Sequence, residues 1–313
     1  MKIAVTSKSF SKNTILRAQL LERFPDSYFN DEGVNFSVEA LIEFLRPCDG
    51  AIIGLEPIND HILKNLPKLK VIGKYGVGLD KIDFSAMRTH DVSFGYTAGV
   101  NKRGVAELAL QMMMVLIRKS YHANLQLRAG QWVPQFGNNL THKKIGILGL
   151  GNVGQDLVKL LKPFECTIYC CDIKPDHEFI KKHDLKLVSL EEIFSLSDVV
   201  TIHIPFNKKN TKLVDERLLS LMQPHGILIN TSRGGLVDEE ALLQKLQSKK
   251  IQAAGFDVFL EEPCQKNALL NLENFYSTPH IGGSSVESVL AMGAAAINGL
   301  SHASKVSEND FIE

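Results

Sequence analysis

Short apolar runs separated by amphipathic stretches set the rhythm of this chain. Ile3-Ala4-Val5, Ala51-Ile52-Ile53, Val71-Ile72-Gly73 and Val92-Ser93-Phe94 are too short for helices and read as strands, the first two fully buried. Between them, residues 13–23, 38–44, 60–65 and 84–89 carry apolar positions at helical spacing. Such an alternation over the first ninety-odd residues predicts a small doubly wound α/β domain.

Residues 101–119 break that rhythm with a long helical pattern: Val105, Leu108, Ala109, Met112, Met113, Val115 and Leu116. These positions fall on more than one helix face, which predicts burial on more than one side. The methionines read as core or subunit interface. A linking region, 124–142, follows. The alternation then resumes, with strands expected at 144–148, 166–171, 199–203, 226–230, 252–256 and 275–277, and helices near 190–195, 216–222 and 238–247. From Val286 the chain is helical, rich in alanine and glycine, and long enough to return to the first domain. The polar end, 301–313, is expected to fray. The boundaries expected are 1–98 with 284–313 for one domain and 99–283 for the other.

The run Gly149-Leu150-Gly151-Asn152-Val153-Gly154 lies mid-chain, between the strand Lys144–Leu148 and a helical pattern with Val153, Leu157, Leu160 and Leu161. Strand, glycine turn and helix come in the order a dinucleotide site requires. The glycines allow a sharp turn, admit a pyrophosphate near the backbone and bring helix and strand together. The helix N-terminus supplies N–H groups and a positive dipole end. Asp172 ends the next strand, where it can accept hydrogen bonds from ribose hydroxyls and repel a 2′-phosphate. NAD is therefore expected over NADP, with Lys174 tempering the preference. Other doubly wound folds, including S-adenosylmethionine binders, also use glycine-rich turns. The strand, the helix and the terminal Asp together favour the dinucleotide.

Composition narrows the partners. Thirty-five basic and thirty-five acidic residues leave no cationic excess for nucleic acid, and no stretch is apolar enough to span a membrane. The start, Met-Lys-Ile-Ala-Val-Thr, reads as a strand and not as a signal peptide. Five cysteines without a CxxC pattern read as reduced thiols of a cytoplasmic protein. The histidines show no metal-ligand spacing, so no metal is expected.

Three segments follow predicted strands, at the ends where open α/β sheets place ligands: Asn230-Thr231-Ser232-Arg233-Gly234-Gly235, Phe256-Asp257 through Glu262-Pro263, and Thr278-Pro279-His280-Ile281-Gly282-Gly283. Singly, Arg233, Glu262 and His280 suit ordinary surface or loop roles. Jointly they suit reduction of a 2-oxo acid. Arg233 can bind carboxylate and carbonyl oxygens through its planar fork. His280 can donate a proton to the carbonyl oxygen as hydride arrives, and Glu262 can hold the imidazole and stabilise its charged form.

With these motifs in order, the chain resembles the D-isomer-specific 2-hydroxyacid dehydrogenases from about Leu66 to Gly299. The resemblance rests also on Lys74-Tyr75-Gly76-Val77-Gly78-Leu79-Asp80, Asn101 with Val105-Ala106-Glu107, Arg128-Ala129-Gly130-Gln131-Trp132, His203-Ile204-Pro205 and Asp257-Val258-Phe259. It implies two doubly wound parallel-sheet α/β domains, a flavodoxin-like substrate domain and a Rossmann NAD-binding domain, with a cleft between them. It implies Arg233, Glu262 and His280 as the catalytic set. Gly149, Gly151, Asn152, Val153, Gly154, Asp172, His203, Pro205, Thr231 and Asp257 would line NAD, Asp257 near the nicotinamide amide. The backbone of Val77-Gly78 would receive the substrate carboxylate, with Lys74, Asn101 and Arg233 alongside. Family members are usually dimers joined through their nucleotide domains, which suits the helix containing Val105–Leu116.

The sequence departs from the family at Gly104, where many members have serine, and at Leu260, where many have glutamate or proline. Phosphoglycerate enzymes often carry an arginine in the loop Gly54-Leu55-Glu56-Pro57, where this chain has Glu56. The substrate expected is a small D-2-hydroxy acid or its 2-oxo acid. Among these, 3-phosphoglycerate is favoured, with Lys74, Lys102 and Arg103 as candidate phosphate partners, the latter two reading equally as solvated surface positions. Two other readings stand beside it: a glycerate, hydroxypyruvate or glyoxylate reductase, and an NADH-sensing corepressor-like binding protein of the same fold. The latter is disfavoured by the absence of extended disordered tails.

Overall fold

A computed structural model of the chain describes residues 1–307, so the last six residues of the polar end lie outside the described residues. The chain opens with β1 (Ile3–Val5), α1 (Lys8–Lys12), α2 (Thr14–Arg23), β2 (Tyr28–Phe29), α3 (Val38–Leu45) and β3 (Gly50–Ile53). Next come α4 (Asp60–Lys64), β4 (Val71–Lys74), α5 (Phe84–Thr89), β5 (Ser93–Gly95), α6 (Lys102–Ile117) and α7 (Ser120–Arg128). The middle holds β6 (Lys144–Leu148), α8 (Asn152–Leu161), β7 (Thr167–Cys171), α9 (His177–Lys182), β8 (Lys186–Leu187), α10 (Leu190–Leu196) and β9 (Val199–Ile202). It closes with α11 (Glu216–Leu219), β10 (Ile227–Asn230), α12 (Glu239–Gln247), β11 (Ala253–Phe256), β12 (Phe275–Ser277), α13 (Val286–Ser301) and β13 (Ser304–Lys305).

Two compact units form: Met1–Asn101 with the segment from Gly283 onward, and Lys102–Gly282. The first unit's sheet runs β13-β5-β4-β3-β1-β2, parallel except where Ser304 and Lys305 pair antiparallel to β5. Strand order reverses between β1 and β3, so the crevice for a ligand opens at their carboxyl ends. One face of this sheet is covered by α3, α4 and α5 residues such as Leu41, Ile62 and Met87, and the other by Leu16, Leu20, Met292 and Ala296 of α2 and α13. The return of α13 brings the chain's last helix onto β3, β4 and β5.

The second unit's sheet runs β12-β11-β10-β9-β6-β7-β8, parallel throughout. Its order reverses between β6 and β9, the switch point of a dinucleotide fold. Its central strands are buried along their whole length and mostly apolar because both faces are covered. Among them, α6 buries Val105, Ala106, Ala109, Met112, Met113, Leu116 and Ile117 against α8, β10 and β11. Met112 and Met113 of α6 are core, while Met114 is 40% exposed.

Several elements escape the hydrophobic pattern. β2, β8 and β13 are two residues each, too short to show a period. α1 and α9 are brief helices rich in lysine. α7 takes up part of the region read as linker; it has no buried residue and so no apolar stripe facing a core.

Candidate active site

The glycine turn occupies the end of β6, and each glycine has a separate physical reason. Gly149 sits at φ +97°, where a side chain is strained, and a Cβ there would lie 2.7 Å from His203 O. Gly154 packs α8 onto the turn so closely that a Cβ would stand 2.2 Å from Gly149 O. Gly151 faces open space, with no atom within 4 Å of its Cβ position. It is also the N-cap of α8 and supplies no side-chain hydrogen bond, so Asn152 and Val153 begin a helix whose first N–H groups have no side-chain cap.

Asp172, just past β7, is drawn into this turn. Its Oδ2 accepts the Leu150 N–H at 2.6 Å and its Oδ1 accepts the Lys174 N–H at 2.8 Å. A carboxylate has about four acceptor sites, so two remain. At the neighbouring strand ends, His203 Nδ1 and Thr231 Oγ1 are buried without a hydrogen-bond partner among the described residues. Burial pushes the His203 imidazole down to about 3, so it is neutral, with Nε2 2.9 Å from Thr201 Oγ1. Pro205 is exposed on the same loop, where its carbonyl accepts from Asn210 Nδ2 at 2.7 Å. An open glycine, an uncapped helix start, a strand-end carboxylate and orphaned buried polar atoms together fit a dinucleotide.

The turn after β10 is built by Asn230. Its Nδ2 donates to Arg233 O at 2.8 Å, and its Oδ1 accepts from the N–H and hydroxyl of Ser232. Gly234 presses this turn against the loop after β11, where a Cβ would fall 1.9 Å from Phe259 C. Only glycine permits that contact, and it carries Arg233 toward Glu262. Glu262 Oε1 accepts the Phe259 N–H at 3.0 Å, and Oε2 lies 2.7 Å from His280 Nδ1. Burial pushes the Glu262 carboxyl up. The His280 hydrogen bond, the Phe259 N–H and the charges of His280 and Arg233 outweigh it and hold the group below its ordinary value. An ionised Glu262 only accepts, so Nδ1 of His280 is the donor and Nε2 is left for proton exchange.

Asp257 is the buried piece behind His280. It is 1% exposed, and its Oδ1 accepts from Thr278 Oγ1 at 2.5 Å and the Ile281 N–H at 2.7 Å. Its Oδ2 accepts the Gly282 N–H at 2.7 Å. Thr278 was not singled out from the sequence. Its signal was a β-branched hydroxyl two residues before His280.

In the first unit, Lys74 ends β4 and is buried, with Nζ donating to Gly54 O at 2.6 Å. Gly76 turns the chain at φ +108°, and Tyr96 donates to Val77 O at 3.0 Å. The N–H groups of Val77 and Gly78 have no hydrogen-bond partner among the described residues. Asn101 is buried with its Oδ1 unpaired among the described residues.

The second unit is thus a doubly wound dinucleotide-binding fold that carries an imidazole–carboxylate pair and an arginine at its strand ends. The family model for the NAD binding domain of D-isomer specific 2-hydroxyacid dehydrogenases matches residues 110–282. The chain is 34% identical over 260 residues to a D-3-phosphoglycerate dehydrogenase of Methanocaldococcus jannaschii, covering 82% of this chain and 49% of that protein. It is 34% identical over 259 residues to a glyoxylate reductase of Thermococcus litoralis, covering 79% and 78%. An NAD-dependent formate dehydrogenase from Staphylococcus aureus, solved in complex with NAD, superposes with a TM-score of 0.81 at 26% identity, covering 96% of this chain and 95% of that one. The chain belongs to the D-isomer specific 2-hydroxyacid dehydrogenase family, and its second unit is that family's NAD-binding domain. It spans about half the length of the phosphoglycerate dehydrogenases it matches. Among the described residues, no helix is long and apolar enough to cross a membrane.

Proposed function

We propose that the protein is an NAD-dependent oxidoreductase that interconverts a small D-2-hydroxy acid and its 2-oxo acid. The observation that carries this reading is the 2.7 Å contact between Glu262 Oε2 and His280 Nδ1 at the strand ends of an NAD-binding domain, with Arg233 in electrostatic reach. NAD supplies the hydride acceptor or, reduced, the donor. Gly149, Gly151, Asn152, Val153 and Gly154 would cradle its pyrophosphate, Asp172 its ribose, and His203, Pro205 and Thr231 its inner face. His280 Nε2 gives a proton to the carbonyl oxygen during reduction and takes the hydroxyl proton during oxidation. Glu262 orients the ring and stabilises the imidazolium. Arg233 holds the substrate's carboxylate and polarises its carbonyl. The Val77 and Gly78 N–H groups, with Lys74 beneath, would receive the carboxylate, and Asn101 would be a further substrate partner. The first unit is accordingly the substrate domain.

The protein is read as a cytoplasmic homodimer. The dimer reading is supported on α7 and the segment after it, where Leu127 is 55%, Trp132 84% and Phe136 89% exposed. An apolar surface of that kind calls for a partner. α6, the sequence's candidate, buries one face in its own core and leaves Met114 40% exposed.

Following NADH absorbance with glyoxylate, hydroxypyruvate, pyruvate, 2-oxoglutarate and phosphohydroxypyruvate tests the proposal. Turnover with at least one acid is expected. NADH binding without turnover of any would point instead to a sensor of the same fold.

A further inference from the structure

The carboxyl edge of the first unit's sheet holds charges that the imidazole pair does not explain. Gly54 follows β3, and charged side chains grip it from both ends. Its N–H donates to Glu56 Oε2 at 2.8 Å, and its carbonyl accepts from Lys74 Nζ at 2.6 Å. Lys74 Nζ also donates to Tyr75 O at 3.3 Å and stands 3.5 Å from the Cβ position of Gly76. The ammonium therefore lies under the turn that presents the Val77 and Gly78 N–H groups, and Glu56 is tied to Gly54, the same residue that anchors the ammonium. Across the crevice between β1 and β3, Ser7 Cβ is 3.5 Å from the Cβ position of Gly54. From there a run of neutral hydroxyls leads on: Ser7 Oγ is 3.2 Å from Ser9 Oγ, which donates to Tyr75 OH at 3.0 Å. Lys8 on this edge leans the other way, its Cδ 3.9 Å from the Cβ position of Gly33, beyond β2.

We propose that Glu56 is a specificity residue that restricts the substrate to monoanionic 2-oxo acids with a short, uncharged side chain and rejects phosphorylated ones. This deepens the function proposed above and rests on it. Lys74 beneath the turn complements the substrate carboxylate that the Val77 and Gly78 N–H groups receive. A second anionic group at this edge meets the fixed Glu56 carboxylate and neutral hydroxyls. Of the phosphate partners that the sequence offered, Lys74 is held beneath the turn, Arg103 forks onto Asp156 at 3.0 Å and 2.8 Å, and Lys102 is an exposed residue of α6. Like-charge repulsion over a few ångströms in partly desolvated surroundings weakens binding by about tenfold or more per unit charge.

The test titrates the NAD-loaded protein with D-glycerate and 3-phospho-D-glycerate by calorimetry and measures kcat/KM for hydroxypyruvate and 3-phosphohydroxypyruvate. Wild type is compared with Glu56→Gln, which keeps an acceptor for the Gly54 N–H and removes the charge. Glu56→Ser, measured alongside, guards against a folding defect in one variant and must move the ratio the same way. Wild type is expected to favour the unphosphorylated acid of each pair by about 30-fold or more, mainly through KM, and both variants to shrink that ratio by about tenfold. Equal or tighter binding of the phosphorylated acid, or a ratio unmoved by both substitutions, overturns the proposal. Absence of turnover with every acid contradicts the dehydrogenase reading, while the binding ratio still decides this one. Binding of neither acid overturns both.

Discussion

The Asp257 carboxylate closes the turn that presents His280. It takes three hydrogen bonds from Thr278, Ile281 and Gly282, and its own carbonyl accepts the His280 N–H at 2.8 Å. His280 itself sits at φ +55°, a left-handed backbone that costs a non-glycine residue on the order of 1 kcal/mol. The surrounding donors hold that conformation, so the imidazole's aim depends on a residue that need never meet the substrate.

Asp257→Asn should therefore damage both stability and turnover. An amide nitrogen cannot accept the N–H bonds that the replaced oxygen accepted, and a buried donor left unpaired costs about 1–3 kcal/mol. A lowered melting temperature with a falling kcat is expected, the kcat loss persisting at temperatures where the variant is fully folded. A normal kcat in the folded variant would separate Asp257 from His280.

The half-buried His203, whose Nδ1 is enclosed, gives the protein a predictable acid sensitivity. Its folded pKa is pushed from 6.5 to about 3 by burial, so between those values the unfolded chain binds a proton that the native state does not. Stability then rises with pH across that window, falls as pH drops from about 6.5 toward 3, and is unaffected by this group above it. Urea midpoints of wild type and His203→Gln, measured without cofactor from pH 4 to 7, should show a shallower acid decline in the variant. Parallel curves would mean that His203 is not the group responsible.

Glu262 acts in the same direction at lower pH. Its folded pKa is depressed, so its stabilising contribution is present above the unfolded carboxyl value and is lost as pH falls through the folded one. The group is more than a third exposed, so the contribution is modest.

Asp172 anchors the Leu150 N–H at 2.6 Å, and ribose recognition is the second task proposed for it. Asp172→Ala should raise KM for NADH and narrow its advantage over NADPH by about tenfold or more, because a like charge facing the 2′-phosphate is gone. The ratio of kcat/KM for the two reduced cofactors reads this directly. An unchanged ratio would leave Asp172 as a purely structural partner of the glycine turn.

Much of this was legible in the residues. Central strands such as β9 and β10 are buried on both faces and so appear as short, mostly apolar runs. The glycine turn, Asp172 and the three strand-end segments carried their chemistry in residue type and spacing. What escaped depended on tertiary contact. β2, β8 and β13 exist because an edge was available to pair with, and α7 shows no amphipathic stripe because it buries nothing in its own unit. Arg103 looked like a phosphate partner until the packing of α6 on α8 set it against Asp156. The direction of Glu56, the point on which the substrate argument turns, depends on a bond to Gly54 that no spacing rule foretells.

The central claim is that His280 transfers the proton while NAD carries the hydride. It is tested most directly by turnover of His280→Ala with an accepted 2-oxo acid, alongside NADH affinity measured by fluorescence. A kcat lowered by about 10²-fold or more with NADH affinity retained is the predicted result. Turnover within about twofold of wild type, with affinity unchanged, would contradict the account.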